Sequence, residues 1–298
     1  MSKNHTHTAV GNIKLAFFAN LGFTALEFVG GLWVNSTAIL ADAVHDLGDS
    51  FALAQAWYFQ SIADRDATQK YTYGYRRFTL LGATISALLL VVSSLFVLSQ
   101  AIPRILQPEP SNAQGMAALA VIGVAVNGFA MYRLMQGEGA NIRIVALHFL
   151  EDVLGWLAIL AVAVLLMFTD LHVLDPILAV LITLYILRNV VKQLRNIVPI
   201  FLQAAPEKLD IAEIGREIED IEFVDSAHHL HVWSLDGEHS VLAVHVVAQK
   251  VLNAEEYMKL KRDFRTLVDK KGIFHSTLEV EWPDESCRLE RSVEDRDV

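Results

Sequence analysis

The sequence contains little cysteine and little charge. One cysteine in 298 residues excludes a disulfide scaffold and any metal site built from four cysteines. Charged residues make up 19% of the chain and hydrophobic residues 53%, whereas soluble domains usually carry about 25% charged residues. The lysines and arginines do not gather into a patch, so the composition gives no support for nucleic-acid binding.

The charge that is present is unevenly distributed along the chain. Residues 1–204 hold 12 acidic and 12 basic residues, whereas residues 205–298 hold 22 acidic and 12 basic residues. The whole net charge of −10 therefore belongs to the second part. The pattern predicts four segments: an N-terminal tail at 1–12, an apolar body at 13–204, an acidic domain at 205–283 and a C-terminal tail at 284–298.

Six stretches of the body are long and apolar enough for membrane-spanning helices, which need roughly 20 mostly apolar residues. They are residues 13–33, 37–61, 78–101, 111–132, 144–169 and 171–194. With the amino terminus inside, 11 lysines and arginines fall in inner segments and only Arg104 falls in an outer loop. Because positive residues favour the cytoplasmic side, we expect both termini in the cytoplasm and the body in the cytoplasmic membrane.

Helical and strand-like patterns alternate in the acidic domain. Their order is αββαβ, and Asp236-Gly237 between the first two strands is typical of a hairpin. This order predicts a ferredoxin-like domain with one sheet and two helices. The expected elements are helices at 209–221 and 254–271 and strands at 227–234, 240–248 and 276–282.

Groups of ionisable residues on one helix face occur inside two of the predicted spans. A charge at the bilayer centre costs at least about 2.5–3.5 kcal/mol, so such residues usually serve a function. The second span carries His45 and Asp49 and the fifth carries His148 and Asp152, each pair at i and i+4 on one helix face. Two imidazoles and two carboxylates suit Zn²⁺, whereas Mg²⁺ and Ca²⁺ prefer more oxygens. The alternatives are polar packing between helices or a proton path alone.

The sequence around these residues resembles the zinc-type branch of the cation diffusion facilitator family. GFTALEFVGGLWVNSTAILADAVHDLGDS resembles its first two spans, ALHFLEDVLG its fifth-span motif, and HHLHVWSL and HSTLEVEW its cytoplasmic domain. The resemblance covers residues 10–282 and implies a homodimeric antiporter that exports Zn²⁺, often Cd²⁺, in exchange for protons. It implies a transport site at His45, Asp49, His148 and Asp152, the residues that the spacing also selects.

Three further acidic residues lie near these four. Asp42 fits the family's LADA pattern as a supporting acid. Asp46 and Glu151 depart from the family's pattern. We expect them either to alter proton affinity and ion choice beside the site, or to face a water-filled cavity.

Some family members carry another metal site in the loop between the second and third spans. Tyr71 and Tyr75 occupy the positions of its two histidines, and of its ligands only Asp64 remains, with Asp66 nearby. We therefore expect this loop site to be absent.

The acidic domain is rich in histidine, and the resemblance implies a regulatory zinc site there. In the strand AHHLHVW, alternation places His228 on one side and His229 and His231 on the other. The alternative is that exposed strand histidines bind no metal. The ligands implied by the resemblance are His228, His245 and Glu281, completed by His275 or Cys287.

The preferred interpretation is proton-coupled efflux by alternating access. Deprotonated ligands bind Zn²⁺ from the cytoplasm, and protons displace the metal on the other side. The alternative is a membrane-anchored metal sensor or scaffold that does not transport. An enzyme is not expected, since the H-E-x-x-H string of zinc proteases is absent. The expected partners are divalent metal ions, protons, the lipid bilayer and a second copy of the chain.

Overall fold

The structure is a computed structural model, and it describes residues 3–63, 65–135 and 140–287. The chain divides into two compact units, Met1–Leu194 and Arg195–Val298, and each is described by itself. The segment boundaries predicted from the sequence, including the division at residue 204, stay predictions.

In the described ranges, six long helices precede the α/β elements. Four stretches, Phe78–Leu106, Ala113–Arg133, Leu147–Phe168 and Leu174–Phe201, are long and apolar enough to cross a membrane. They contain most of the third to sixth predicted spans, and the first two predicted spans lie within the first two helices. The helices are α1 (Lys3–Val34), α2 (Thr37–Ala63), α3 (Phe78–Leu106), α4 (Ala113–Met135), α5 (Ala140–Phe168) and α6 (Leu174–Phe201).

Close packing holds α5 against its neighbours in the first unit. A Cβ added at Gly123 of α4 would collide with the indole of Trp156 on α5, so only glycine allows this approach. Phe23 of α1 packs edge-on against the same indole, with ring centroids 6.0 Å apart. Trp156 is fully buried as a result. These contacts fix the helix that carries His148 and Asp152.

Helices α1 and α2 are joined by a short turn through Asn35 and Ser36. Asn35 has φ of 52°, in the left-handed region that asparagine tolerates better than most residues. Further along the pair, the Asn20 side chain donates to the Asp46 carbonyl at 3.2 Å and to Ser50 Oγ at 3.0 Å. These bonds set the register of the two helices.

The start of α2 is capped by Asp175 from the start of α6. The first N–H groups of a helix have no partner within it, and here the Thr37 and Ala38 N–H groups donate to the Asp175 carboxylate at 2.7 and 3.3 Å. The Ser36 and Thr37 hydroxyls donate to it at 2.5 and 2.8 Å. Because Asp175 is buried, this cap ties the two helix ends together and fixes where α2 begins.

The second unit confirms the predicted order of elements. Its sheet has the order β1-β2-β3, with β1 antiparallel to β2 and β2 parallel to β3. Apolar residues of both helices pack on the sheet, among them Ile218, Leu260 and Phe264. The elements are α7 (Ile211–Glu219), β1 (Val224–Ser234), β2 (Ser240–Ala248), α8 (Ala254–Lys270) and β3 (Ile273–Glu281).

A bulge interrupts β1 in the middle of its histidines. His228 pairs with His245, and the register shifts between His228 and His231. His229 has φ of 47°, and its ring lies 5.1 Å from the ring of His228 and 5.3 Å from that of His245. The simple alternation expected for this strand therefore does not hold at His229, because a bulge adds one residue to one strand and turns its side chain.

Candidate metal centre

Helices α2 and α5 bring the four predicted transport-site residues together. His148 Nε2 lies 3.0 Å from Asp49 Oδ2 on the other helix and 3.9 Å from Asp152 Oδ2 one turn along its own helix. His45 Nε2 lies 3.7 Å from Asp49 Oδ2. The two imidazole centroids are 6.0 Å apart. The two i, i+4 pairs thus meet as one cluster of two imidazoles and two carboxylates.

The spacing of the donor atoms suits a tetrahedral ion. Ligand atoms of His45, His148 and Asp152 all lie within 4.8 Å of one another. Zinc–ligand bonds of about 2.0–2.1 Å place tetrahedral ligand atoms about 3.3 Å apart. Asp49 Oδ2, at 3.0 and 3.7 Å from the two imidazole nitrogens, already has that spacing. The group of ligand atoms within 4.8 Å of one another does not include Asp49, so side chains must move before all four ligands can surround one Zn²⁺.

The cluster is reached through a cavity of about 390 Å³. It is bounded by α2, α5 and α6, and its wall includes His45 and Asp152 together with Tyr185 of α6. The side chain of His148 is 41% exposed, whereas that of Asp152 is 9% exposed. His148 is therefore the most exposed of the four side chains, whereas the carboxylate of Asp152 lies deeper.

The three neighbouring acids occupy different positions. Asp42 and Glu151 line the same cavity, and the Asp42 carboxylate lies opposite Gly155, where an added Cβ would be 3.7 Å from Asp42 Oδ1. Asp42 and Asp46 are buried, and Glu151 is exposed. Asp46 does not line this cavity but lies at the α1–α2 contact. The cavity alternative therefore fits Glu151 better than Asp46.

The loop between α2 and α3 holds an aromatic cluster at the positions where histidines were sought. The rings of Tyr71 and Tyr75 lie 4.7 Å apart, and both contact the ring of Phe78 at 5.7 and 5.5 Å. Asp64, the remaining acid of the sought site, lies outside the described residues. The expected absence of a loop site stays a prediction.

The three strands of the second unit bring a second group of ligands together. His245 Nδ1 lies 2.8 Å from Glu281 Oε1, and His228 Nε2 lies 3.2 Å from Glu281 Oε2. His245 also approaches Glu279, with Nε2 at 3.3 Å from Oε2. Burial alone would raise the pKa of Glu281, but hydrogen bonds from His245 and Cys287 and the nearby His228 hold it below its usual value. A carboxylate that stays ionised is ready to bind a cation.

The structure distinguishes between the two residues proposed to complete this group. Cys287 Sγ lies 3.8 Å from His245 Nδ1, and the ligand atoms of His228, His245, Glu281 and Cys287 lie within 4.8 Å of one another. His275 pairs with Val241, six positions before Glu281 on β3, which corresponds to about 20 Å along a strand. Cys287 therefore joins the group and His275 does not.

Two acidic residues of the first unit make contacts between helices that the sequence did not predict. Asp175 caps α2 from a position 138 residues away, and no local pattern links the two. Glu27 on α1 is fully buried and faces the carboxylate of Asp46. The position of Glu27 in the middle of an apolar span marks it as unusual, but the sequence does not indicate which residue it contacts.

Known proteins resemble this chain over nearly its whole length. Residues 13–202 match the family described as the cation efflux transmembrane domain. A cadmium, cobalt and zinc/H(+)-K(+) antiporter of Bacillus velezensis is 31% identical, over 94% of this chain and 92% of its own. The zinc transporter ZitB of Escherichia coli K12 is 34% identical, over 98% and 97%. The solved metal-bound C-terminal domain of the CzcD transporter from Cupriavidus metallidurans is 35% identical over 24% of this chain and 99% of its own, with a TM-score of 0.22.

Proposed function

This chain belongs to the cation efflux family, and we propose that it exports divalent metal ions, Zn²⁺ above others, in exchange for protons. The observation that carries the proposal is the meeting of His45 and Asp49 with His148 and Asp152 across α2 and α5. Relatives named as zinc transporter and as cadmium, cobalt and zinc antiporter support the choice of cargo. A transporter rather than an enzyme fits both.

The ligands themselves supply the coupling to protons. Neutral imidazoles and ionised carboxylates bind Zn²⁺, so protons and metal compete for the same atoms. Imidazole changes its charge near neutral pH, which makes His45 and His148 the groups that a proton gradient can switch. Protons that enter from outside displace the metal there, and the emptied ligands lose their protons to the cytoplasm before the next ion binds.

The Asp175 cap relates the cavity to the two sides of the membrane. With both termini in the cytoplasm, the starts of α2 and α6 lie at the outer surface, where Asp175 joins them. The cavity beside the cluster is lined on α6 by residues from Leu181 to Ile186, which lie in the outer half of that helix.

We further propose roles for the second unit and for assembly. His228, His245, Glu281 and Cys287 bind a regulatory metal ion, and the chain works as a homodimer in the cytoplasmic membrane. The acidic charge of this unit raises the local concentration of cations. The name of the Bacillus velezensis relative includes K⁺ beside H⁺, and we include K⁺ among the counter-ions of the proposed exchange.

Flux measurements in sealed vesicles test the transport proposal. The purified full chain is placed in liposomes with a zinc indicator, and a pH gradient is imposed. Wild type should accumulate Zn²⁺, and His45→Ala or Asp152→Ala should reduce the rate at least about 100-fold, because losing a ligand costs more than the 10–100-fold typical of its supporting contacts.

The matched control is Glu109→Gln, since Glu109 is an exposed carboxylate paired with Arg104 at 3.0 Å and lies outside the cluster. It should transport like wild type. If wild type binds zinc and shows no gradient-driven flux, the sensor alternative is correct. Full flux in both ligand variants would rule out the site.

A further inference from the structure

A groove in the second unit lies between α8 and the edge strand β3. In the described sheet β3 pairs only with β2, so backbone groups along its other edge have no strand partner there. Residues 275–278, four in succession, line the groove. Because side chains alternate along a strand, a succession of this kind indicates that the groove follows the strand edge. Its volume of about 550 Å³ is in the range of small-molecule sites.

The groove is basic in a domain that is otherwise acidic. Residues 205–298 hold 22 acidic and 12 basic residues, yet no aspartate or glutamate of the described chain lines the groove. Lys261 and Arg265 in its wall lie one turn apart on α8, where two like charges destabilise a helix. Lys261 Nζ lies over the ring of Tyr257, 5.4 Å from the centroid, a contact that does not neutralise its charge.

The two arginines of the groove, Arg262 and Arg265, have no carboxylate partner in the part of the chain that the structure describes. Lys259 on the same helix pairs with a glutamate, whereas neither arginine forms an ion pair there. Asp263 acts on Lys259, and Asp269, one turn beyond Arg265, does not reach it. The positive charge of the groove is therefore available to a ligand.

The donors in the groove favour a phosphate group over a carboxylate. A guanidinium binds the oxygens of either group through two parallel N–H bonds. Arg262, Arg265 and Lys261 stand beside the hydroxyls of Ser276 and Thr277, which together offer more donors than the two oxygens of one carboxylate can accept. A phosphate ester presents three acceptor oxygens and nearly two negative charges near neutral pH.

The apolar part of the wall suits a phosphate that is attached to a carbon group. Met258 and Leu278 line the same groove, and the side chain of Met258 is exposed. Inorganic phosphate would fill only a small part of the space. Small-molecule sites typically combine an apolar wall with a few polar groups that fix the orientation of the ligand.

We propose that the groove between α8 and β3 binds a phosphate-bearing small anion, with the phosphate held by Lys261, Arg262 and Arg265. The phosphate belongs either to a soluble phosphate ester or to the headgroup of an anionic lipid, and the same donors bind it in both cases. None of the residues assigned to the two metal clusters lines the groove. The site is therefore independent of zinc binding and of transport.

Equilibrium dialysis with ³²P-labelled inorganic phosphate tests the site on the purified full chain in a phosphate-free detergent. The protein is first stripped of metal, so that no bound metal ion holds the anion. Wild type should bind labelled phosphate that glycerol phosphate displaces. Arg262→Gln combined with Arg265→Gln should weaken this binding at least about tenfold, because two charge-assisted contacts are lost.

The matched control combines Lys208→Gln with Lys270→Gln, which removes the same charge from exposed lysines outside the groove. It should bind phosphate like wild type. Hydrogen exchange of α8 peptides shows whether the arginine variant is folded, and if it is not, Lys261→Gln should weaken binding at least about threefold. Absence of phosphate binding in wild type would overturn the proposal. An equal loss in the control would overturn it too, since binding would then follow net charge alone.

Short-chain lipids distinguish the two sources of the phosphate. Dihexanoyl phosphatidic acid and glycerol phosphate compete separately with the label, and dihexanoyl phosphatidylcholine serves as the uncharged lipid control. Stronger competition by phosphatidic acid would support the site and assign it to a lipid headgroup. Stronger competition by glycerol phosphate would support it and assign a soluble ester. Competition by phosphatidylcholine as strong as that by phosphatidic acid would contradict recognition of the phosphate.

Discussion

Both units gather two histidines around carboxylates, but they do so by different routes. In the first unit each of two helices carries a histidine and an aspartate one turn apart, so half of the cluster is fixed within each helix. In the second unit His228, His245 and Glu281 come from three separate strands, and Cys287 follows the last. Helical spacing thus makes one cluster visible in the sequence, whereas sheet pairing creates the other.

The two clusters are exposed to a similar degree. The side chains of His45 and His148 are 25% and 41% exposed, and those of His228 and His245 are 28% and 16% exposed. The first cluster adjoins a cavity, which suits a cargo that must enter and leave.

The largest expected difference is between a ligand substitution in the first cluster and one in the second. We expect Asp49→Ala to lower gradient-driven zinc flux at least about 100-fold, because it removes the carboxylate that bridges both helices. Glu281→Ala should change the maximal rate by less than about threefold while weakening zinc binding by the second unit. Flux and equilibrium zinc titration of the same two proteins supply both measurements.

Equal loss of maximal flux in the two variants would contradict separate roles for the clusters. A matched control is Glu238→Ala, a change at an exposed acid of the hairpin that joins β1 and β2. It should alter neither flux nor zinc binding.

The two units also differ in how their helices are capped, which affects their stability. In the first unit α2 is capped by buried Asp175 from another helix, whereas in the second unit α8 is capped locally by Asn253 in a capping box with Glu256. Asp175→Ala leaves several buried donors unsatisfied and should cost about 3 kcal/mol. Asn253→Ala should cost about 1 kcal/mol.

Denaturant unfolding of the full chain in detergent can measure both losses. Hydrogen exchange of α2 peptides reports the first unit, and hydrogen exchange of α8 peptides reports the second. Asp175→Asn serves as the control. Its single amide oxygen can still accept two of the four hydrogen bonds, so it should lose less stability than Asp175→Ala. A loss near 1 kcal/mol for Asp175→Ala would mean that water replaces the cap at that helix end.

Much of this architecture follows from periodicity in the sequence. Long apolar runs predict the membrane helices, and strict i, i+4 spacing predicts both halves of the cluster between α2 and α5. The αββαβ order follows from alternation and from the Asp236-Gly237 turn, where Gly237 indeed has φ of 97°. These features are local, so composition and spacing are sufficient to predict them.

What the sequence could not predict depends on contacts between distant residues. Asp175 meets the start of α2 across 138 positions, and Glu27 meets Asp46 only through the α1–α2 register. The bulge at His229 changes the direction of a side chain, and no glycine at that position indicates a positive φ in the sequence. The choice of Cys287 over His275 required the end of β3 to be placed beside His245.

Cys287 offers a sharper test of the second cluster. It is buried, with Sγ 3.8 Å from His245 Nδ1, so Cys287→Ser should weaken zinc binding by this unit about tenfold. The protein for this test also carries His45→Ala and His148→Ala, which removes zinc binding by the first unit's cluster from the titration. Competition with a fluorescent chelator gives the zinc affinity. When Co²⁺ replaces Zn²⁺, the thiolate charge-transfer absorption should be absent in the Cys287→Ser variant.

The control for Cys287 is His275→Ala, since His275 lies elsewhere on β3. It should retain wild-type zinc affinity. A weaker affinity in His275→Ala than in Cys287→Ser would reverse the assignment of the fourth ligand.

The smallest expected effect concerns a carboxylate that, unlike Asp175, caps its own turn. Asp236 accepts from the Glu238 and His239 N–H groups at 2.9 and 2.8 Å and from His239 Nδ1 at 2.7 Å. Burial opposes ionisation, but these bonds outweigh it and hold the pKa of Asp236 below its ordinary value of 3.8. A lowered pKa stabilises the folded hairpin above the unfolded pKa, and this contribution is lost as the pH falls through the folded one.

Asp236→Asn should therefore destabilise the hairpin by about 1 kcal/mol near neutral pH. The difference from wild type should shrink as the pH falls below 3.8, because the wild-type carboxylate is then protonated as well. Hydrogen exchange of the β1–β2 peptides, compared between the two proteins at each pH, measures it. A difference that persisted unchanged in acid would assign the effect to lost geometry instead of lost charge. The hairpin would then depend on the shape of its cap, as we expect for α8 with its neutral Asn253.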